Sequence, residues 1–222
     1  MRYARTFVLL AALVPCLALG VSDKTGSLSE FPQRYKAMES VLADRLSDEG
    51  LWTDPARKSE ILDALAAVRT LRTKAVVPFL LAHIDYRPAY SLKELAGLET
   101  SMKPLEARYP AFAALQDVGL PAVQGLLDEM KRIDPSPPVP TDPRELAIQK
   151  VLSEKEKQRF RLLAFCLIGI YGEKNEGREL ARVRIKSEVE KSSGQAKEFL
   201  MKALDHPVLK MKDYAEPVSG NE

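Results

Sequence analysis

Few residues of this chain belong to the types that usually carry catalysis. The 222 residues include two histidines and two cysteines. His83 lies two residues before Asp85, as a pair of metal ligands could, but no third ligand follows at a suitable spacing. Cys166 lies within an apolar run, residues 162–171, where burial would raise the thiol pKa and reduce its reactivity. The sequence therefore predicts no catalytic residue, no metal site and no cofactor.

Charged side chains are numerous but form no known catalytic motif. The sequence has no metalloprotease, nucleophile-elbow, P-loop or dinucleotide-binding signature. Its dispersed carboxylates could still meet in space, so an enzyme or accessory domain acting on a cell-envelope polymer is an alternative. The mixed-charge run 153–159 is typical of a solvated helix face. The basic residues within 178–186 could contact an acidic partner or lipid head groups, although nearby glutamates offset their charge.

Aromatic residues and an arginine in two irregular stretches are the main candidates for a binding site. The first stretch contains the only tryptophan, Trp52, and the second contains Tyr86, Arg87 and Tyr90. Loops carry binding residues more often than helices do, and aromatic and arginine side chains are common anchors of protein interfaces. We therefore predict a binding surface at these four residues. The alternative is that the rings fold back and cover the helix ends beneath them.

The rest of the sequence is typical of helices. Helix-forming residues dominate, and no alternating β-branched run occurs. Apolar residues recur at steps of three and four, for example along residues 61–71, which predicts one buried face per helix. Asp142-Pro143 is a typical helix start, and Ser153 followed by Glu156 is another. These patterns predict an all-α protein.

An internal repeat relates two of the predicted helix pairs. Residues 64–83 align without a gap to residues 111–130, at an offset of 47. Six positions are identical and four more pair apolar residues, and these are the positions that a helical hairpin must bury. A weaker third copy begins at residues 164–172. The alternative is a chance similarity between alanine-rich helices.

The repeat resembles the HEAT family, which is of the armadillo type. The closest stretch is GLPAVQGLL at residues 119–127, and Gly172-Glu173 is similar to the glycine–acid turn of that family. Arg72 is a departure, because the family often has glycine at this position. The resemblance covers residues 56–84, 104–131 and 156–192.

This resemblance implies a short α-solenoid of stacked antiparallel helical hairpins over residues 31–206. Helices at residues 31–46 and 195–205 would cap the two ends, and residues 207–222 would form a C-terminal tail. A stacked array of this kind curves and presents a concave surface that suits a protein partner.

The N-terminal segment has the features of a secretory signal. Arg2 and Arg5 precede an apolar stretch that is short for a transmembrane helix, and Ala18-Leu19-Gly20 resembles a cleavage site. We predict a signal peptide at residues 1–20 and a flexible leader at residues 21–30. The protein would then be exported to the periplasm or the outside of a bacterial cell. If the segment stayed uncleaved, it would associate the protein with the membrane.

The charge balance argues against a nucleic-acid partner. Without residues 1–20 the chain has 31 basic residues (33 less Arg2 and Arg5) and 31 acidic residues. A neutral chain lacks the positive field that attracts phosphates. The sequence thus predicts an exported, non-enzymatic scaffold or adaptor that binds another protein in the cell envelope. The alternatives are the envelope enzyme and a peripheral envelope-structural protein.

Overall fold

The structure is a computed structural model that describes residues 30–99, 104–136, 143–172 and 174–210. These residues contain α-helices and short 3-10 turns and no strand, so the predicted all-α class is confirmed. The helices are α1 (Glu30–Leu46), α2 (Glu49–Thr53), α3 (Lys58–Leu71), α4 (Val77–Ala82), α5 (Leu92–Glu99), α6 (Pro104–Arg108), α7 (Pro110–Val118), α8 (Val123–Met130), α9 (Pro143–Tyr171), α10 (Lys174–Lys191), α11 (Gly194–Asp205) and α12 (Pro207–Lys210). The 3-10 turns are Pro55–Arg57, Lys74–Val76 and Leu120–Ala122.

Short polar side chains begin several of these elements. The Asp48 carboxylate accepts a hydrogen bond from the Gly50 N–H at 2.9 Å and caps α2. Asp54 accepts one from the Ala56 N–H at 2.8 Å, directly before the proline that starts the first 3-10 turn. The Thr73 hydroxyl caps the second turn in the same way. Each cap satisfies a backbone donor that has no partner within its own helix.

One hydrophobic cluster joins the helices, from Leu42 in α1 to Leu209 in α12. Helix α3 packs against α1 and α7, and α7 packs in turn against α9. Helix α8 contacts both α4 and α9, while α10 lies between α9 and α11. Helix α7 is therefore central, and its residues 111–115 are all buried. These contacts join α3 and α4 to α7 and α8, and the stacked HEAT-like arrangement itself stays a prediction.

The two hairpins α3–α4 and α7–α8 correspond, but not without a gap. Helices α3 and α7 keep the offset of 47, because they end at Leu71 and Val118. Helices α4 and α8 begin at Val77 and Val123, which is an offset of 46. The pattern of burial agrees, since the buried residues of α4 all match buried residues of α8 at this second offset: Val77, Leu80 and Leu81 match Val123, Leu126 and Leu127. The ungapped alignment is thus wrong in the second helix.

The reason lies in the turns between the helices. Arg72 and Thr73 separate α3 from its 3-10 turn, whereas Gly119 alone separates α7 from the equivalent turn. Arg72 has φ 52° and Gly119 has φ 75°, so each of the two connections turns at a residue with positive φ. The ψ of Gly119 is −140°, a combination that favours glycine and permits the shorter connection. The identical Val-x-x-Leu-Leu stretches at residues 77–81 and 123–127 show the offset of 46 in the sequence as well, so the missing residue leaves a local signal.

Three predicted boundaries are corrected by the structure. Ser153 does not start a helix, because it lies within the continuous 29-residue helix α9. The predicted tail begins too early, since α12 continues the fold to Lys210 and buries Leu209 completely. Glu30, assigned to the leader, already belongs to α1.

The predicted signal peptide at residues 1–20 lies outside the described residues, as do residues 21–29 of the predicted leader and residues 211–222 of the predicted tail. Among the helices of the described ranges, none combines the length and the apolar character needed to cross a membrane.

Candidate functional site

Three of the four predicted binding residues lie in the segment that follows α4, and the fourth lies beneath it. Trp52 in α2 is only 5% exposed, and its Nε1–H donates to the Leu46 carbonyl at 2.8 Å. Its ring stacks on His83, with centroids 4.1 Å apart, and meets the edge of Tyr86 at 5.3 Å. Trp52 thus covers a helix end, as the alternative interpretation held, and offers little surface to a ligand.

His83 directly follows α4 and is partly buried. Its Nε2 lies 3.7 Å from the Glu49 carboxylate. Burial lowers the pKa of His83, and this outweighs the opposite influence of Glu49 and Asp85. Burial therefore favours the neutral form of the ring. Within the described ranges no cluster of three metal-binding side chains occurs, so the His83–Asp85 pair gains no third ligand there.

Arg159 fastens this segment to the long helix α9. Its guanidinium donates to the carbonyls of Leu81 at 2.7 Å and Ala82 at 3.1 Å, at the end of α4. It also pairs with Glu129 at 3.2 Å and with Asp85 at 3.6 Å. A cation at a helix C-terminus is favourable because the last carbonyls lack partners within the helix. The interpretation of residues 153–159 as a solvated face missed this role, which no local pattern reveals.

Arg87 is exposed and lies over a buried ring. Its Cζ is 4.6 Å from the ring centroid of Tyr109, and its guanidinium also donates to the Tyr109 hydroxyl. Tyr109 is 2% exposed and accepts a second hydrogen bond from Gln158 Nε2 at 3.1 Å. No sequence pattern selects Tyr109, because it lies 22 residues from Arg87 and only the fold brings them together.

Tyr90 is half-buried and lies beside the start of α5. The Lys58 Nζ is 5.3 Å from its ring centroid and donates to the Ala89 carbonyl and to Glu94, each at 3.1 Å. Ser91 and Glu94 form a reciprocal capping box, in which each backbone N–H donates to the other side chain. These hydrogen bonds from Ser91, followed by that from Lys58, lower the pKa of Glu94 to about 2. The Ser-x-x-Glu spacing could have located α5, which the sequence interpretation left as an irregular connection.

We call Arg87, Tyr90 and Leu92 the loop patch; Arg87 and Leu92 are exposed and Tyr90 is half-buried. Leu92 is 88% exposed at the first position of α5. The residues differ in chemistry, since they supply a cation, a partly covered ring and an aliphatic side chain. Two contacts fix the segment, one from Arg87 to Tyr109 and one from Lys58 to Ala89. Such a surface can bind a partner without first becoming ordered.

The cysteine and the carboxyl groups with displaced pKa values in the described ranges are each buried or paired. The Cys166 thiol is fully buried, which raises its pKa. The buried carboxylate of Glu188 accepts from Lys131 Nζ at 2.7 Å, and this lowers the pKa of Glu188. The other displaced carboxyl pKa values in the described ranges, those of Asp48 and Glu94, are also lowered. The raised carboxyl pKa that an acid catalyst needs is not found among these groups.

Three of the basic residues of α10 have structural partners. Arg178 donates to the Val208 carbonyl at 3.0 Å, and Arg182 donates to the Leu204 carbonyl at 3.0 Å. These contacts hold the ends of α11 and α12 against α10. Arg184 donates to Gln124 of α8 at 3.1 Å. The cluster therefore serves the packing of the C-terminal helices, which leaves the loop patch as the better candidate for a binding surface.

Comparisons with protein-family models, with curated proteins and with solved structures gave no match to this chain.

Proposed function

We propose that the protein is an exported helical-repeat scaffold that binds another protein through the loop patch. The observation that carries the proposal is the exposure of Leu92 and Arg87 on a segment that is fastened to the helices beneath it. An exposed aliphatic side chain next to an arginine and a tyrosine has the composition of a protein interface. The repeat supports the scaffold role, and the signal-like N-terminus supports export.

The fastening matters because binding energy is lost when a loop must become ordered. Arg159 holds the end of α4, and the Ser91–Glu94 capping box holds the start of α5. The loop patch thus lies between two fixed points, and a partner gains most of the contact energy that the patch offers.

The test compares two sets of substitutions in the full chain. One variant combines Arg87→Ala, Tyr90→Ala and Leu92→Ser, and the control combines Leu180→Ser and Val183→Ser on α10, where both residues are exposed. The wild-type chain and both variants would be used to capture proteins from an envelope extract. We expect a specific protein to be retained by the wild type and the control and lost with the loop-patch variant.

Two results would contradict the proposal. Equal capture by both variants would place the interface elsewhere on the protein. Failure of the wild-type chain to retain any specific protein would argue against a scaffold role. Determination of the N-terminal residue tests the export part separately, since cleavage is expected near Val21.

A further inference from the structure

Arg87 differs from several other arginines of the fold in how its charge is paired. Arg57 pairs with Asp48 at 2.6 Å, Arg69 pairs with Asp117, and Arg159 pairs with Glu129. Arg182 donates to two backbone carbonyls. Arg87, by contrast, contacts only Tyr109 among the described residues, and no carboxylate of that part of the chain lies within ion-pair distance of it.

We propose that Arg87, held on the ring of Tyr109, binds a carboxylate group of the partner protein. This inference rests on the proposed function, because it assigns the chemistry of the partner at the loop patch. A guanidinium has five N–H donors in one plane. One donor is directed to the Tyr109 hydroxyl. The remaining donors along the exposed edge match the two oxygens of a carboxylate.

The Tyr109 ring makes Arg87 more selective than an ordinary surface arginine. A free arginine side chain loses rotamer freedom when it pairs, which removes most of the gain from an exposed ion pair. Arg87 has already lost part of that freedom through its contact with the ring. Tyr109 is itself immobilised, because it is buried and hydrogen-bonded to Gln158. Part of the entropic cost of ordering the Arg87 side chain is therefore already met in the folded protein before a ligand binds.

The charges nearby do not neutralise Arg87. Asp85, two residues before it, faces Arg159 at 3.6 Å. Glu94, at the start of α5, pairs with Lys58 at 3.1 Å. Each of these carboxylates thus has its own cation, and none of the described carboxylates neutralises the charge on Arg87. Arg161 provides a matched comparison, since it is exposed and has neither a carboxylate nor a ring partner among the described residues.

The test follows the Nε–Hε signals of arginine by NMR in the full chain labelled with ¹⁵N. The probes are a capped Ala-Glu-Ala peptide, a capped Ala-Gln-Ala peptide, an N-acetylated Ala-Ala-Ala peptide with a free C-terminal carboxylate, and inorganic phosphate. The variant Arg87→Lys assigns the signal. We expect the glutamate peptide to shift the Arg87 signal with saturation, and the glutamine peptide to leave it unchanged. A response to the free C-terminus alone would specify a terminal carboxylate.

Variants of Tyr109 test the role of the ring. Tyr109→Leu should raise the apparent Kd of Arg87 for the glutamate peptide roughly fivefold, because a cation–π contact contributes a free energy of that size. Tyr109→Phe keeps the ring and should retain most of the response, which protects the test against misfolding of the leucine variant. Equal shifts of Arg87 and Arg161 would overturn the inference, because they would indicate general screening. An equal response to phosphate would overturn the assignment to carboxylate.

The outcomes also separate this inference from the proposed function. If the loop-patch variant loses its partner but Arg87 ignores the carboxylate probes, the binding site stands and its assigned chemistry is wrong. If Arg87 binds the probes but the loop-patch variant keeps its partner, the scaffold surface lies elsewhere and the carboxylate site serves another ligand.

Discussion

Hairpins α3–α4 and α7–α8 share a pattern of burial but differ in what surrounds them. At the offset of 47, Ala66 of α3 is exposed whereas its equivalent Ala113 is 2% exposed. At the offset of 46, the half-buried Phe79 of α4 corresponds to Gly125 of α8. A Cβ at Gly125 would lie 2.7 Å from the Leu81 side chain, so α8 approaches α4 closely there. The central hairpin is thus covered on faces that the outer hairpin leaves in water.

This comparison separates two requirements on the sequence. The residues that face the partner helix within a hairpin must be apolar in both copies. The size of the other residues depends on whether a further helix covers them, as α9 covers α7. Substitutions in the two hairpins can therefore test whether covering by a further helix decides how much each substitution lowers the free energy of unfolding.

The largest difference is expected for two phenylalanines, one in each hairpin, that are not at equivalent positions of the repeat. Phe112→Ala removes a ring that is 2% exposed at the centre of the fold, and should cost about 3–5 kcal/mol in the free energy of unfolding. Phe79→Ala removes a half-buried ring from the outer hairpin and should cost roughly half as much. Urea unfolding followed by circular dichroism measures both. Equal losses would show that the outer hairpin is as tightly enclosed as the central one.

The turns should respond in opposite directions. Gly119→Ala forces a side chain onto a backbone with φ 75° and ψ −140° and should cost about 1–3 kcal/mol. Arg72→Gly relieves a left-handed residue and should stabilise the chain by up to about 1 kcal/mol, since the greater freedom of glycine in the unfolded chain offsets part of the gain. Thermal unfolding compares the two variants with the wild type. Destabilisation by Arg72→Gly would mean that the arginine side chain contributes to the turn.

The equivalent alanines give a difference that depends on space alone. Ala113→Leu should destabilise the fold by about 1–3 kcal/mol, because the added atoms have no room between helices. Ala66→Leu should change the free energy of unfolding by less than about 0.5 kcal/mol, since the residue is exposed. Urea midpoints at constant slope would report the change. A tolerated Ala113→Leu would contradict the central position of α7.

The smallest expected effect is a pH dependence of stability, and it differs between the residues that directly follow α4 and α8. Burial lowers the pKa of His83 in the folded state, so the unfolded chain binds more protons and stability falls as pH drops through about 6.5. Lys131, at the end of α8, has a pKa raised chiefly by its hydrogen bond to Glu188 and keeps its charge over this range. Acid should therefore weaken the outer hairpin and leave the end of the central one unaffected.

The variant His83→Gln should show a shallower loss of stability between about pH 8 and pH 5 than its parent. His206 also has a pKa lowered by burial. The substitution His206→Gln should therefore be present both in the His83→Gln variant and in the protein with which that variant is compared. Urea unfolding at each pH gives the comparison. An unchanged pH profile in the His83 variant would show that His83 protonates equally in the folded and unfolded chains.

Much of the fold could be predicted from sequence, but the candidate site only in part. The expected helices at residues 31–46 and 195–205 are found at Glu30–Leu46 and Gly194–Asp205. Arg87 is exposed and Tyr90 half-buried at the surface, whereas Trp52 is buried. The residue types alone could not separate these cases, because an aromatic side chain serves equally well in an interface and over a helix end.

The sequence by itself determined which segments are helical and which side of each helix is apolar. Those properties depend on neighbours three and four residues away, so a local pattern records them. Only the tertiary structure decided the covering of Ala113 and the contact between Arg87 and Tyr109. Arg159 reaches the Leu81 carbonyl from 78 residues away, and Tyr109 meets Gln158 across 49. Contacts at such separations depend on how the helices are placed against one another, and no short stretch of sequence specifies that placement.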